Sequence, residues 1–155
     1  MQLALREAES ACAKGEVPVG AVLVYQGGMI ASAHNGVEAS RDPTAHAEVL
    51  CIRKGAEVLG NWRLLGTTLY CTLEPCPMCA GAMIHSRVER LVWGAPDLRC
   101  GVHGSWINLL DLVHPIHQLK VESGVCREES AALMRDFFRK RRIGKENEEA
   151  VRSAR

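Results

Sequence analysis

Two short segments of this 155-residue chain combine residue types that bind metal ions and transfer protons. In the first segment, His46 is followed two positions later by Glu48. In the second, two residues separate Cys76 from Cys79. An imidazole and two thiolates suit Zn²⁺, and catalytic zinc sites use three protein ligands with water in the fourth position. The pattern therefore predicts that His46, Cys76 and Cys79 bind one zinc ion.

Glu48 is expected to act as an acid–base group rather than as a ligand. Side chains two positions apart leave an ideal helix on different sides, so Glu48 is poorly placed to bind a metal beside His46. The arrangement works if the helix that carries Glu48 points its end at the metal, because the carboxylate can then reach water and substrate. The two cysteines open another predicted helix, where unpaired N–H groups and the helix dipole favour thiolates.

Other interpretations of this cluster stay open from the residues alone. The thiol pair could be a redox pair. A closed structural zinc site would need a fourth ligand, and Cys71, His34 and His85 are available for that role. Glu48 favours catalysis, because a structural site has no need of that carboxylate.

The elements around these residues alternate between strands and helices. The predicted helices are 3–14, 42–59, 75–86 and 128–142, and the predicted strands are 19–25, 29–33, 67–72, 90–93 and 118–122. Residues 26–28 predict a hairpin turn, Asp42 is expected to cap the second helix, and Gly60 to end it. The alternation predicts an α/β fold, a three-layer αβα domain with a central mixed five-stranded sheet, over residues 1–143. Residues 144–155 are expected to form a charged, flexible tail.

Composition and charge exclude several classes of protein. Seven cysteines, without the spacing of a secreted disulfide framework, predict reduced thiols and an intracellular location. The longest uncharged stretch, 17–37, contains a proline and four glycines and predicts no membrane span. The net charge of +1 gives no bulk attraction to a polyanion, but residues 139–155 hold seven basic against three acidic side chains. Affinity for a nucleic acid is therefore expected near the C-terminus.

An H-x-E motif followed by P-C-x-x-C is the signature of zinc-dependent nucleobase deaminases, and this chain has both parts in order. Over residues 3–142 the chain also resembles the bacterial-type tRNA adenosine deaminases. The blocks that carry the resemblance are 16–22 (EVPVGAV), 42–48 (DPTAHAE), 60–65 (GNWRLL), 73–87 (LEPCPMCAGAMIHSR) and 137–142 (FFRKRR). This series is far more specific than the zinc signature, and it implies a cytidine deaminase-like fold.

The resemblance implies hydrolytic deamination of the wobble adenosine to inosine in a tRNA anticodon loop. It further implies a zinc-activated water, one zinc per subunit, a homodimer, and the anticodon stem-loop of a tRNA as partner. The implied location is a bacterial cytoplasm, or a plastid stroma if the chain is cut from a longer precursor. The alternative is a zinc deaminase of a small nucleoside, nucleotide or nucleobase. The basic helix end at 137–142 favours an RNA substrate over this alternative. The third hypothesis is a non-catalytic protein whose zinc only holds the fold and whose basic tail recruits RNA or a partner chain.

Carried over residue by residue, the resemblance assigns the zinc ligands and the proton shuttle to the same four residues, His46, Cys76, Cys79 and Glu48. The residues expected to contact substrate are Asn35, Ala47, Asp97, Phe137 and Arg139. Asn35 matches an asparagine that contacts the flipped-out nucleoside, and Asp97 lies in a loop that touches the anticodon backbone. Phe137 and the basic residues after it match a helix beside the RNA. The segment 100–106 (CGVHGSW) and Cys71 depart from the family pattern.

Overall fold

The computed structural model describes the backbone of residues 1–153 and the side chains of residues 1–144 and 146. Its centre is one five-stranded sheet with the strand order β2-β1-β3-β4-β5. The strands are β1 (Gly20–Tyr25), β2 (Gly28–His34), β3 (Thr67–Leu73), β4 (Arg90–Ala95) and β5 (Lys120–Ser123). Strand β1 runs antiparallel to β2 and β3, whereas β3, β4 and β5 are parallel. The predicted mixed five-stranded sheet is confirmed.

Helices cover both faces of this sheet. They are α1 (Gln2–Ala13), α2 (Val37–Ser40), α3 (Ala47–Leu59), α4 (Pro77–Ser86) and α5 (Arg127–Ser153). A Cβ at Gly20 of β1 would overlap the backbone of α1, and Leu23 of the same strand fills the space beside Gly55 of α3. Since side chains alternate along a strand, Gly20 and Leu23 face opposite sides of the sheet. Helices α1 and α5 pack together on one side and α3 and α4 on the other, which confirms the three-layer αβα prediction.

A row of leucines across three strands fixes the register of the sheet. Leu23, Leu69 and Leu91 are paired neighbours on β1, β3 and β4, and each is fully buried. Burial of one leucine side chain contributes roughly 1.5–3 kcal/mol, and a one-residue slip would turn the whole row to the other face. The register thereby fixes where β3 ends, which is the point from which the second motif emerges.

The hairpin predicted at residues 26–28 is confirmed, but the predicted start of the helix at 42–59, which is α3 of the structure, is corrected. Gln26 and Gly27 both have positive φ, 49° and 79°, as a type I′ turn requires. The helix predicted from Asp42 begins only at Ala47. The Asp42 carboxylate accepts hydrogen bonds from the backbone N–H and hydroxyl of Thr44, at 2.8 and 2.7 Å, so it stabilises a local turn instead of a helix end. The short helix α2 was not predicted.

Helix α5 is longer than expected. It continues past the predicted end at Arg142 and through Gly144 to Ser153. The prediction of a flexible tail at 144–155 falls largely on residues whose side chains lie outside the described part, and it stays a prediction. Among the described residues, no helix combines the length and the apolar composition needed to cross a bilayer.

Candidate active site

The three predicted zinc ligands converge on one point at the carboxyl end of β3. Among the described residues, they form the group of metal-binding side chains whose donor atoms all lie close together. The Nδ1 atom of His46 is 3.6 Å from Cys76 Sγ and 3.5 Å from Cys79 Sγ, and the two sulfurs are 3.6 Å apart. The three donors thus form a nearly equilateral triangle.

Two helix N-termini build this triangle. His46 is the N-cap of α3, in extended backbone conformation (φ −71°, ψ 147°), and Cys76 is the N-cap of α4 (φ −80°, ψ 171°). Cys79 lies in the first turn of α4. Because His46 precedes the helix instead of lying within it, the geometric objection to a His46–Glu48 pair does not apply. Both side chains lie at the same helix end, as the sequence hypothesis required.

The donor set fits zinc. A tetrahedral ion with Zn–S of about 2.3 Å and Zn–N of about 2.0–2.1 Å needs S···S and S···N separations of about 3.8 and 3.6 Å, close to those observed. The pKa of the Cys76 thiol is lowered to about 4, chiefly by its hydrogen bond with Cys79. The pKa of Cys79 is raised, chiefly by the same bond, and the pKa of His46 is raised by its bond to Cys76. Zinc binding must therefore displace protons, which makes its affinity dependent on pH.

The alternatives left open by the sequence lack support in this geometry. Cys71 is buried and donates to the Leu73 carbonyl at 3.1 Å, and His34 bonds the Glu7 carboxylate at 2.8 Å. Neither belongs to the metal-binding group, and nor does His85. The cysteines are free thiols, so the pair does not form a disulfide in this structure.

Glu48 lies in the first turn of α3 and is almost completely buried, with 3% of its surface exposed. Burial away from water raises the pKa of its carboxyl group from 4.5 to about 6. A carboxyl group with a pKa near neutrality can both accept and donate a proton, which is what acid–base catalysis needs.

Glu48 and two of the metal-binding side chains line a cavity of about 290 Å³. This volume is close to the lower limit for small-molecule sites, about 300 Å³. One extruded nucleobase can enter such a cavity, but a stacked stretch of nucleic acid cannot. The remaining wall comes from residues before α2, from the segment after β4, and from α5; it includes Asn35, Asp97, Arg99, Met134 and Phe138.

The structure brings two of the five expected substrate residues to the wall of this cavity. Asn35 and Asp97 line the wall. Ala47 is fully buried as the first residue of α3, so it can offer a ligand only its backbone, where N–H groups lack intrahelical partners. Arg139 is exposed, pairs with Asp136 at 2.9 Å, and lies outside the cavity in an adjoining groove.

Phe137 lies on the side of α5 that faces the sheet. It is 7% exposed, and it follows Ser130, which touches β4, by seven residues, so both lie on the stripe of α5 that faces the sheet. Its neighbour Phe138 lines the cavity, one turn beyond Met134. The structure thus places Phe138 rather than Phe137 at the cavity, and a contact of Phe137 with RNA stays a prediction.

The adjoining groove is lined by more basic than acidic side chains, five arginines against Asp97, Glu128 and Asp136. It has a volume of about 850 Å³, shares Asp97, Arg99 and Phe138 with the cavity, and runs between the segment after β4 and α5. Its basic side chains are Arg99, Arg127, Arg135, Arg139 and Arg142. Such a groove suits the phosphates that flank a base held in the cavity.

Two buried carboxylates at the cavity were missed by sequence reasoning. Glu16, 1% exposed, accepts a hydrogen bond from Asn35 Nδ2 at 3.1 Å and from the N–H groups of Glu38 and Ala39. An ionised carboxylate only accepts hydrogen bonds, so Glu16 fixes the orientation of the Asn35 amide. Glu74, also 1% exposed, binds the segment after β4. Both lie in blocks that carry the family resemblance, 16–22 and 73–87, and each is a charged residue beside an apolar strand.

Comparison with known proteins agrees with this geometry. The cytidine and deoxycytidylate deaminase zinc-binding region matches residues 1–95. The chain is 51% identical to the tRNA-specific adenosine deaminase of Bacillus subtilis, over 92% of this chain and 88% of that protein. It is 49% identical to the chloroplastic tRNA(adenine(34)) deaminase of Arabidopsis thaliana, over 91% of this chain and 12% of that longer protein.

A solved structure shows the same relationship. A tRNA:A34 deaminase, studied for A-to-I editing at the wobble position of transfer RNA, shares the fold with a TM-score of 0.82. It is 45% identical in sequence, over 86% of this chain and 96% of that one. The chain therefore belongs to the zinc-binding cytidine and deoxycytidylate deaminases and, among them, to the family of tRNA-specific adenosine deaminases.

Proposed function

We propose that this chain hydrolyses the wobble adenosine of a tRNA anticodon to inosine, with release of ammonia. The observation that carries the proposal is the position of Glu48. Its buried carboxyl group lies beside a zinc-sized triangle of three ligands, at a cavity that admits one base. Membership in the family of tRNA-specific adenosine deaminases supports a tRNA adenosine as the substrate.

His46, Cys76 and Cys79 would hold one zinc ion per chain, the number that the three-donor site accommodates. When bound there, zinc supplies a water of pKa about 7 in place of about 15.7. With zinc bound, Glu48 would take one proton of the water and pass it to the purine ring nitrogen next to the reacting carbon, while the water oxygen adds to the carbon that bears the exocyclic amine. Glu48 would then carry the proton of the added hydroxyl to the amine, which leaves as ammonia as the C=O bond of inosine forms.

The cavity binds the reacting base, and the adjoining groove binds the flanking phosphates. The reacting base must leave the stack, which costs little in an anticodon loop. Asn35, held by Glu16, contacts the extruded nucleoside from one wall, and Asp97 and Phe138 face it from the other side. Because the arginines of the adjoining groove contact phosphates, the affinity for RNA falls as the salt concentration rises.

We also propose a homodimer in a bacterial cytoplasm or a plastid stroma. Exposed apolar side chains outside the cavity, Trp62, Leu65, Leu112 and Val113 among them, support a protein contact. The relatives from a bacterium and a chloroplast support the location. Light scattering tests the dimer, since a monomeric mass at micromolar concentration would contradict it.

The activity is tested by incubating the zinc-loaded protein with an anticodon stem-loop that carries a wobble adenosine. Mass analysis of the product should show a gain of about one mass unit at that nucleotide, because an amine is replaced by an oxygen. Free adenosine, offered separately, discriminates the small-molecule alternative. Rapid turnover of the free nucleoside with an unchanged stem-loop would refute the proposed substrate.

A further inference from the structure

Glu74 has an unusual environment for a carboxylate. It is 1% exposed, and none of the ion pairs found among the described residues includes it. Its partners come instead from the segment after β4. Its Oε1 accepts from the backbone N–H groups of His103 and Ser105 at 2.7 and 3.3 Å, and its Oε2 from the N–H of Asp97 at 3.1 Å and from the hydroxyl of Ser105. Three backbone dipoles and one hydroxyl thus balance the buried charge.

The segment that Glu74 binds, residues 97–105, forms part of the cavity wall. Asp97, Arg99 and Cys100 line the cavity from this segment, and Glu74 itself lies at its edge. Gly101 passes so close to the carboxylate that a Cβ there would overlap Glu74 Cδ and Oε2 and would come within 2.6 Å of the Asp97 carbonyl.

The same residue connects this wall to the metal-binding turn. Glu74 is followed directly by Pro75 and Cys76, and the Pro75 carbonyl accepts a hydrogen bond from Val102 N–H at 3.1 Å. The wall and the metal ligands are therefore joined through one short stretch of chain. The Glu74 side chain binds the wall, and Cys76, two residues further along the chain, is one of the metal-binding residues.

We propose that Glu74 is a positioning residue that sets the substrate-facing wall 97–105, and through it the affinity for RNA. This proposal rests on the proposed tRNA deaminase function. It separates Glu74 from Glu48, which acts on the reacting atoms, and from the ligands, which hold zinc. Loss of the Glu74 carboxylate should weaken RNA binding while leaving zinc content and the chemical step nearly unchanged.

Glu74→Gln is the sharpest test, because it keeps the size of the side chain. In its best orientation, the oxygen of the glutamine amide still accepts hydrogen bonds from the N–H groups of His103 and Ser105. The amide nitrogen then faces the N–H of Asp97. One charge-assisted hydrogen bond is thereby replaced by a contact between two donors. The Kd for the anticodon stem-loop should rise on the order of tenfold. At saturating RNA, kcat should change by less than about threefold.

Hydrogen exchange gives a readout that a general loss of stability would not produce. The amides of Asp97, His103 and Ser105 donate to Glu74, so the peptide 97–106 of zinc-loaded Glu74→Gln should exchange faster while peptides of the sheet do not. Glu57→Gln makes the same chemical change at an exposed position of α3 and should match the wild type in every measurement.

Gly101→Ala disturbs the same contact from the other side and covers the case in which Glu74→Gln fails to fold. It leaves the carboxylate intact and pushes the wall away from it, so it should reproduce the higher Kd and the faster exchange. Gly144→Ala, with open space around the added Cβ, is its control.

Unchanged Kd and exchange in Glu74→Gln, or in Gly101→Ala if the first variant does not fold, would overturn the proposal. Loss of zinc, or a fall in kcat with Kd unchanged, would also overturn it, because Glu74 would then act on the metal site. A wild-type protein that neither binds nor deaminates the stem-loop would instead overturn the proposed function. Faster exchange in the variant would still report that Glu74 holds the wall.

Discussion

The burial of Glu48 predicts that this protein gives up stability to keep a carboxylate at its active site. In the zinc-free protein, Glu48→Gln should therefore be more stable than the wild type at neutral pH. The zinc-free form is the right reference, because a bound cation would itself favour the ionised carboxylate. Glutamine has nearly the same shape but no charge to desolvate, so the difference isolates the cost of burying the anion.

The magnitude follows from the pKa of Glu48. A carboxyl group whose pKa is about 6 in the folded chain, against an ordinary value of 4.5, is disfavoured as an anion by about 2 kcal/mol. Between these two values the native state binds more protons than the unfolded chain, so stability falls as pH rises through this window. Glu48→Gln should thus gain about 2 kcal/mol in free energy of unfolding at about pH 7.5 and almost nothing near pH 4.

Urea unfolding of both proteins, stripped of zinc and kept reduced, measures this difference over a series of pH values. Titrating groups that do not interact with Glu48 are common to both proteins, so they cancel in the comparison. Glu57→Gln, exposed on the same helix, should show no such pH-dependent gain. A Glu48→Gln variant that is no more stable than the wild type, or equally more stable at every pH, would refute the reasoning. With zinc restored, the variant should bind metal and RNA but lose about 10²–10⁴-fold in kcat.

Three further predictions concern the ligands, the aromatic pair and the groove. Cys79→Ser should lose most of its zinc by elemental analysis, and full metal content would contradict the three-ligand site. Phe137→Ala should lower the free energy of unfolding by about 3–5 kcal/mol, because the ring is buried. Phe138→Ala should instead weaken stem-loop binding with little effect on urea unfolding, and the reverse pattern would restore the original assignment. Arg142→Gln should reduce the slope of log affinity against log salt by about 1, whereas an unchanged slope would remove this residue from the phosphate contacts.

The metal-binding residues and the proton shuttle could be predicted because their information is local. The spacing between Cys76 and Cys79 matches one helical turn, and a histidine with a nearby glutamate supplies the remaining groups. The position of His46 could not be predicted, since it depended on where α3 begins. Asp42 had the composition of a helix cap, but its bonds to Thr44 stabilise a turn, and the helix starts four residues later than the cap predicted.

The substrate wall was harder to predict because it depends on partners far apart in the sequence. Glu16 and Glu74 bind groups that become their neighbours only after the sheet forms. The choice between Phe137 and Phe138 depended on the rotation of α5, a difference of one position that periodicity in a charged helix does not settle. The sheet itself was predictable, because its strands are short apolar runs separated by strong turn residues.

The order of elements along the chain sets the order in which the parts of the site are synthesised. Both helix ends that carry the metal donors come before α5, whereas Met134 and Phe138, on the far side of the cavity, belong to that final helix. During synthesis, every metal donor therefore leaves the ribosome before the residues that complete the pocket.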